Sequence, residues 1–293
     1  MTQAKPTLDT VLARADALLA RLETVLPHPP AATDWNASTA FRYRKRGQAL
    51  GAIEPVRHVA TIRLPELREV EPQKERLVAN TRQFVAGRPA NNVLLTGARG
   101  TGKSSLIKAC LNEFAPQGLR LIEVDKADLV DLTDIVERIA GRDERFVIFC
   151  DDLSFDEGEP GYKALKSVLD GSVAQASENV LIYATSNRRH LLPEYMKENL
   201  TYTHTEDGEV HPGEVVEEKI SLSERFGLWL SFYPFTQAEY LTIVEQWLRN
   251  LGEADAGRIA AARKEALVWA LERGSRSGRV AYQFARDWCG RRL

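Results

Sequence analysis

Residues 97–104 read Gly97-Ala98-Arg99-Gly100-Thr101-Gly102-Lys103-Ser104, a complete GxxxxGK[ST] string. An apolar run at 92–96 precedes it and helical spacing from 104 to 114 follows. A strand, a glycine-rich turn and a helix in that order belong to few folds, and here they describe a nucleoside triphosphate site. Gly97, Gly100 and Gly102 let the backbone turn back and aim its N–H groups at one point, while the helix presents its positive N-terminus to the same anion. Lys103 is placed to reach the β and γ phosphates and the Ser104 hydroxyl to ligate Mg2+. The expected cradle comprises Gly97, Ala98, Arg99, Gly100, Thr101, Gly102, Lys103, Ser104 and Ser105.

Bulk properties narrow the class further. With 293 residues, 44% of them hydrophobic, the chain can build one large domain and a small one. Lys plus Arg number 39 against 41 Asp plus Glu, a formal net charge of -2, so charge argues neither for nor against a nucleic-acid partner. The cysteines, Cys110, Cys150 and Cys289, are odd in number and widely spaced, which fits reduced thiols rather than a disulfide framework. No apolar stretch reaches the length of a membrane span, and the first 26 residues are an amphipathic pattern broken by charges, without a signal peptide's apolar block. The expectation is a cytoplasmic protein without a membrane partner.

Proline and charge clusters divide the chain. Residues 1–66 form an N-terminal extension, with an amphipathic helix at about 7–26 and an aromatic and basic stretch at 41–47 of uncertain structure. Phe41 to Arg46 could stack on nucleic acid, but two aromatics among four charges fit an anchor on the body or on a neighbouring subunit better. Residues 67–235 alternate apolar runs at 119–124, 146–150, 180–185 and 228–232 with helical segments, the pattern of a parallel sheet covered on both faces. Residues 236–293 are helical throughout, with helices expected at about 236–251, 257–273 and 279–288.

Two strands carry further chemistry. Phe146 to Cys150 runs into Asp151 and Asp152, so a buried strand delivers two carboxylates at its C-terminal edge, where ligands bind in an open parallel sheet. Asp151 suits the Mg2+ shell and Asp152 the attacking water. The strand ending at Thr185-Ser186-Asn187 brings an amide to the same edge, where Asn187 can hydrogen-bond water or the γ-phosphate.

The phosphate loop, the strand with paired acids, Ala184-Thr185-Ser186-Asn187, then Arg225-Phe226-Gly227 before another strand and a helical C-terminal domain together resemble an AAA+ ATPase from about residue 67 to 293. More narrowly, residues 90–95, 150–155 and 222–230 resemble a bacterial AAA+ family known as domain of unknown function 815. The resemblance implies an α/β P-loop ATPase domain with an α-helical lid. It also implies that Asn187 is the sensor-1 residue, that Arg225 enters a neighbouring subunit's site, and that Arg279 is the sensor-2 arginine of the lid, although exposed arginines are common and Arg225, Arg279 or its neighbour Arg276 could instead be solvated surface residues. A trans-acting arginine has no target in a monomer, so a homo-oligomer is implied, most often a hexamer.

The departures matter too. AAA+ enzymes usually follow the metal-binding Asp with Glu, whereas this chain has Asp152, one methylene shorter, with Glu157 as an alternative acid. The loop after the second strand reads Asp125-Lys126-Ala127-Asp128 rather than an aromatic and a glycine, which disfavours peptide threading. Residues 202–218 hold six acids with His204 and His211, a pattern that fits a solvated mobile insertion better than a metal site. The expected protein is a Mg2+-dependent ATPase that remodels or loads an unknown protein or nucleic-acid client. The alternatives are a slow nucleotide-state switch or scaffold, and a P-loop kinase. DNA-helicase loading is a subordinate form of the first reading.

Overall fold

A computed structural model describes residues 7–25, 32–45, 51–155, 159–170, 178–188, 203–204, 210–211 and 222–291. Helix α1 (Leu8–Val25) precedes strands β1 (Ala40–Arg44) and β2 (Ala52–Pro55) and helix α2 (Glu71–Val85). β3 (Val93–Gly97) and α3 (Lys103–Phe114) flank the glycine-rich turn, and β4 (Leu119–Glu123), α4 (Leu132–Ile139), β5 (Arg145–Cys150), α5 (Pro160–Asp170) and β6 (Val180–Ser186) follow. β7 (Thr203–His204) pairs with β8 (Val210–His211), and then come β9 (Leu228–Phe232), α6 (Gln237–Asn250), α7 (Ala256–Glu272) and α8 (Gly278–Gly290).

Seven strands form one sheet in the order β2-β1-β4-β5-β6-β3-β9. All neighbours are parallel except the antiparallel β1–β2 pair. Strand alternation sorts side chains into two cores, as buried parallel strands require. Val93 and Leu95, Val147 and Phe149, and Leu181 and Tyr183 join one cluster with α2, α3 and the C-terminal helices. Leu94, Ile148, Cys150, Ile182 and Ala184 join the other, with Ile135 of α4 and Leu165 of α5. The fold is therefore a mainly parallel α/β sheet with C-terminal helices, as the apolar runs predict.

The aromatic and basic stretch is resolved as part of the sheet. Phe41 and Tyr43 are fully buried, and Phe41 packs on Trp35 with ring centroids 4.7 Å apart. Two bases of the stretch pair within the chain, Arg42 with Glu123 at 2.6 Å and Lys45 with Asp131 at 2.9 Å. The Tyr43 hydroxyl donates to Asp131 at 2.9 Å, so these aromatics are not free to stack on bases. Arg46 and Gly47 lie outside the described residues.

The three C-terminal helices are capped as their sequences indicate. Thr236 and Glu239 form a reciprocal capping box, and Asp255 and Ser277 accept from the first turns of α7 and α8. Ala262, Ala266 and Ala270 put small side chains on one stripe of α7, and Tyr240 of α6 donates its hydroxyl to the Ala266 carbonyl at 3.1 Å. Among the described residues no helix is long and apolar enough to cross a membrane.

Phe41→Ala should cost about 3 to 5 kcal/mol of stability, read by chemical denaturation, because it empties a buried ring site. Burial pushes the Cys110 and Cys150 thiols up to about 12, so at pH 8 both should stay protonated and resist a maleimide in the native protein. Mass spectrometry before and after unfolding checks this.

Candidate functional site

The phosphate loop leaves β3 by closing on its neighbour. Gly97 has φ 122°, and a Cβ there would stand 1.9 Å from the Phe232 carbonyl oxygen, so only glycine fits. The Ala98 N–H donates to that same oxygen at 3.1 Å. Inside the loop the Thr101 hydroxyl donates to the Ala98 carbonyl at 2.8 Å. Lys103 is buried at the start of α3, and its Nζ donates to the carbonyls of Gly97 and Ala98 at 2.8 Å each. Burial lowers the Lys103 pKa from the usual lysine value, while the carboxylates of Asp152 and Asp151 act in the opposite direction. Ser105 sits half-buried in the first turn of α3.

Because β6 lies between β3 and β5, its end stands between the lysine and the acids. Asn187 joins them. Its Oδ1 accepts from Lys103 Nζ at 3.0 Å and its Nδ2 donates to Asp152 Oδ1. One amide thus faces a cation with its oxygen and a carboxylate with its nitrogen. Asp151 continues the strand face of Val147 and Phe149 towards α3, where the Ser104 hydroxyl donates to its Oδ1 at 2.7 Å. Asp152 turns away with φ 52°, a left-handed conformation that aspartate tolerates better than most side chains.

Thr185 organises both acids, a role sequence reading missed. Its hydroxyl donates to Asp151 Oδ1 at 2.5 Å and accepts from the Asp152 N–H at 2.9 Å, while its carbonyl accepts from the Leu153 N–H at 2.7 Å. Strand alternation was the available signal, since Leu181, Tyr183 and Thr185 share the face that Asp151 uses.

The C-terminal helices close over the loop. The Gly278 N–H at the start of α8 donates to the Gly100 carbonyl at 2.8 Å, and a Cβ at Gly100 would lie 2.8 Å from the Ser277 Cβ and 3.6 Å from the Arg279 Cβ. Arg279 is thus brought beside the phosphate loop. Its neighbour Arg276 lines a cavity of about 760 Å3 together with Ala98, Arg99, Thr101, Phe235 and Leu271.

Arg225 is placed elsewhere. Phe232 is level with Gly97, whereas Arg225 precedes Leu228 at the opposite, N-terminal edge of the sheet. There it pairs with Asp170 at the end of α5, and buried Leu222 and Phe226 anchor its turn. The Asn-rich segment before β3 ties this edge together: Asn80 binds the Asn91 backbone, Asn92 Oδ1 accepts from the Ile182 N–H at 2.8 Å, and a Cβ at Gly227 would meet Asn91 Oδ1 at 2.4 Å.

Glu157 lies outside the described residues, as does most of the 202–218 insertion, of which only the short β7–β8 pair is described. Residues 126–131, after Asp125, form a 3-10 turn. Among the described residues no cluster of three or more metal-ligating side chains occurs. Ser104 and Asp151 nevertheless supply hard oxygens side by side, the donors a small octahedral cation takes when phosphates complete its shell. The glycine-rich turn, tight against Phe232 at Gly97 and against Ser277 at Gly100, has the small side chains that a backbone phosphate cradle needs.

Sheet order, edge chemistry and a helical lid against the phosphate loop define the AAA+ fold. The solved structure of a point mutant of Thermotoga maritima RuvB superposes with TM-score 0.52 at 16% identity, covering 78% of this chain and 64% of that one. The Aeropyrum pernix Orc1 protein in complex with DNA gives TM-score 0.50 at 16% identity, over 75% of this chain and 59% of that one. The chain spans less than two thirds of either structure, and at such identities the likeness is one of fold. No curated protein matches the sequence. Residues 36–292 match the family described as "Protein of unknown function (DUF815)", and the chain belongs to that family.

Thr185→Val keeps the side-chain shape and removes the hydroxyl. It should destabilise the fold by about 1 to 3 kcal/mol, by leaving the Asp152 N–H unpaired. If Ser104 and Asp151 hold Mg2+ at a bound nucleotide, the same change should also raise the Mg2+ concentration that binding needs by roughly tenfold. Unchanged stability and Mg2+ dependence would remove Thr185 from the site.

Proposed function

We propose that the protein is a Mg2+-dependent ATPase whose sites are completed across subunit boundaries. The observation that carries this reading is the chain Lys103–Asn187–Asp152 running beside Ser104–Asp151 at one sheet edge. Gly97 to Ser105 would cradle the phosphates, with Lys103 on the β and γ groups. Mg2+ held by Ser104 and Asp151 would supply charge neutralisation at the phosphates. Asp152 would accept a hydrogen bond from the attacking water, and Asn187 would hold that carboxylate in line with the lysine. Arg279 would tie lid position to the γ-phosphate.

Arg225 supports the oligomeric part. It lies at the sheet edge opposite its own phosphate loop, so its guanidinium has a use in catalysis only at a neighbour's site, as in a ring, with a hexamer the expected size. The work of such an assembly would be to remodel or load a macromolecular client. The Orc1 structure contains DNA, and a DNA client here would require binding that weakens steeply with salt.

A slow switch is the second reading, and Asp152 favours it. Its carboxylate is one methylene shorter than glutamate, leaves the strand in a left-handed turn and is engaged by Asn187. A kinase would have no use for Arg225.

Arg225→Ala should lower steady-state ATP hydrolysis by about 10^3-fold or more while light scattering finds the assembly intact. A variant that hydrolyses ATP like the wild type would sink the intersubunit mechanism and restore the kinase. Slow turnover in the wild type that clients do not accelerate would select the switch.

A further inference from the structure

Helix α1 carries an apolar face that nothing in the described chain covers. Leu8, Val11, Leu12, Leu18 and Leu19 are 74%, 48%, 55%, 59% and 56% exposed. With Ala15 they fall on one stripe, spaced three and four residues apart over two heptads. An amphipathic helix draws most of its stability from packing its apolar face, and α1 makes no such packing here. The family match covers residues 36–292, so this helix lies outside the matched segment.

The charges flanking the stripe identify what covers it. Asp9 and Asp16, seven residues apart, lie along one flank, and Arg14 and Arg21, also seven apart, lie along the other; all four are exposed. When two copies of such a helix pack in parallel, the flank of one meets the opposite flank of the other, so acids face arginines. In register, Asp16 stands within about 3 Å along the axis of the second copy's Arg14, two residues of helical rise. Antiparallel packing sets acids against acids and arginines against arginines. A lipid surface would favour a basic polar face, and the sequence of this helix has three acids to two arginines.

We propose that α1 is a self-association helix that packs in parallel against α1 of further copies of this chain. Parallel packing is the arrangement that rotation about one axis produces, so the contact suits a cyclic assembly. It does not rest on the ATPase reading, because apolar burial and flank pairing need no nucleotide.

The test uses the full chain and light scattering without nucleotide. The wild type should run as an oligomer, and Leu12→Glu/Leu19→Glu should fall to the single-chain mass of 32.8 kDa. Asp9→Arg/Asp16→Arg makes both flanks basic, and Arg14→Asp/Arg21→Asp makes both acidic. Each should run at single-chain mass alone and associate again when the two are mixed. A cooperative chemical unfolding transition like the wild type's, measured on each variant, shows that its body is folded. Charge variants that associate like the wild type, or a mixture that stays at single-chain mass, would overturn the proposal. So would a wild type that is monomeric without nucleotide, including one that sediments with phosphatidylcholine–phosphatidylserine vesicles instead. Lys103→Ala, aimed at the nucleotide, should leave this association intact. An associating wild type without ATP hydrolysis therefore sinks the ATPase reading alone, and hydrolysis without α1-dependent association sinks this one alone.

Discussion

The insertion of β6 between β3 and β5 governs the chemistry at the carboxyl edge of the sheet. A parallel strand ends where its neighbours end, so the last side chains of β6 have the phosphate loop on one side and the paired acids on the other. Asn187 spans that gap with a single amide, and Thr185, two residues earlier, does the same for the two backbone positions that carry the acids. Neither contact could form if β5 lay directly against β3. The acids would then stand beside the lysine with no neutral group to fix their distance, and their attraction for a buried ammonium would set the geometry instead. The strand order makes hydrogen bonds, which are directional, decide where the charges sit.

The parts that could be read from sequence are those where local pattern and tertiary role agree. β9 spans the apolar run 228–232, and the three C-terminal helices start beside capping residues that the sequence displays. Residues 40–55 were illegible for the opposite reason. β1 reads Ala-Phe-Arg-Tyr-Arg, with cations where a strand facing solvent could place them, and its identity depends on Glu123, which pairs Arg42, and on Asp131, which takes the Tyr43 hydroxyl and Lys45 just beyond the strand, both many residues away. β2 is four residues long and includes a proline, which an edge strand can hold but no local rule announces. The site divides the same way. Lys103, Ser104, Asp151 and Asn187 were recognisable by type and strand position, whereas Thr185 is recognisable only once its face is known to look towards Asp151.

Asp152 shows why residue type and backbone shape have to be read together. An apolar strand that simply continued would carry residue 152 to the Cys150 face, away from Lys103. The left-handed turn redirects it, and the Thr185 hydroxyl and carbonyl stabilise that turn by accepting from two successive N–H groups. Aspartate is among the few side chains that enter this backbone region readily, and its short side chain holds the carboxylate close to the turn. A glutamate would keep the charge and add both reach and strain. The aspartate is therefore a feature of how the strand ends, and any rate it supports is bound to that turn.

The contact between lid and phosphate loop has a further consequence. Gly278 donates to the carbonyl of Gly100 through main chain alone, and the space at Gly100 admits no side chain before Ser277 is displaced. The start of α8 and the crown of the loop thus fit closely against each other. Arg279 is the next residue on that helix, so a rotation of α8 that repositions its guanidinium would also strain the Gly278–Gly100 hydrogen bond to the loop backbone. Coupling of this kind is reciprocal: whatever a bound anion does to lid orientation, lid orientation does to anion affinity.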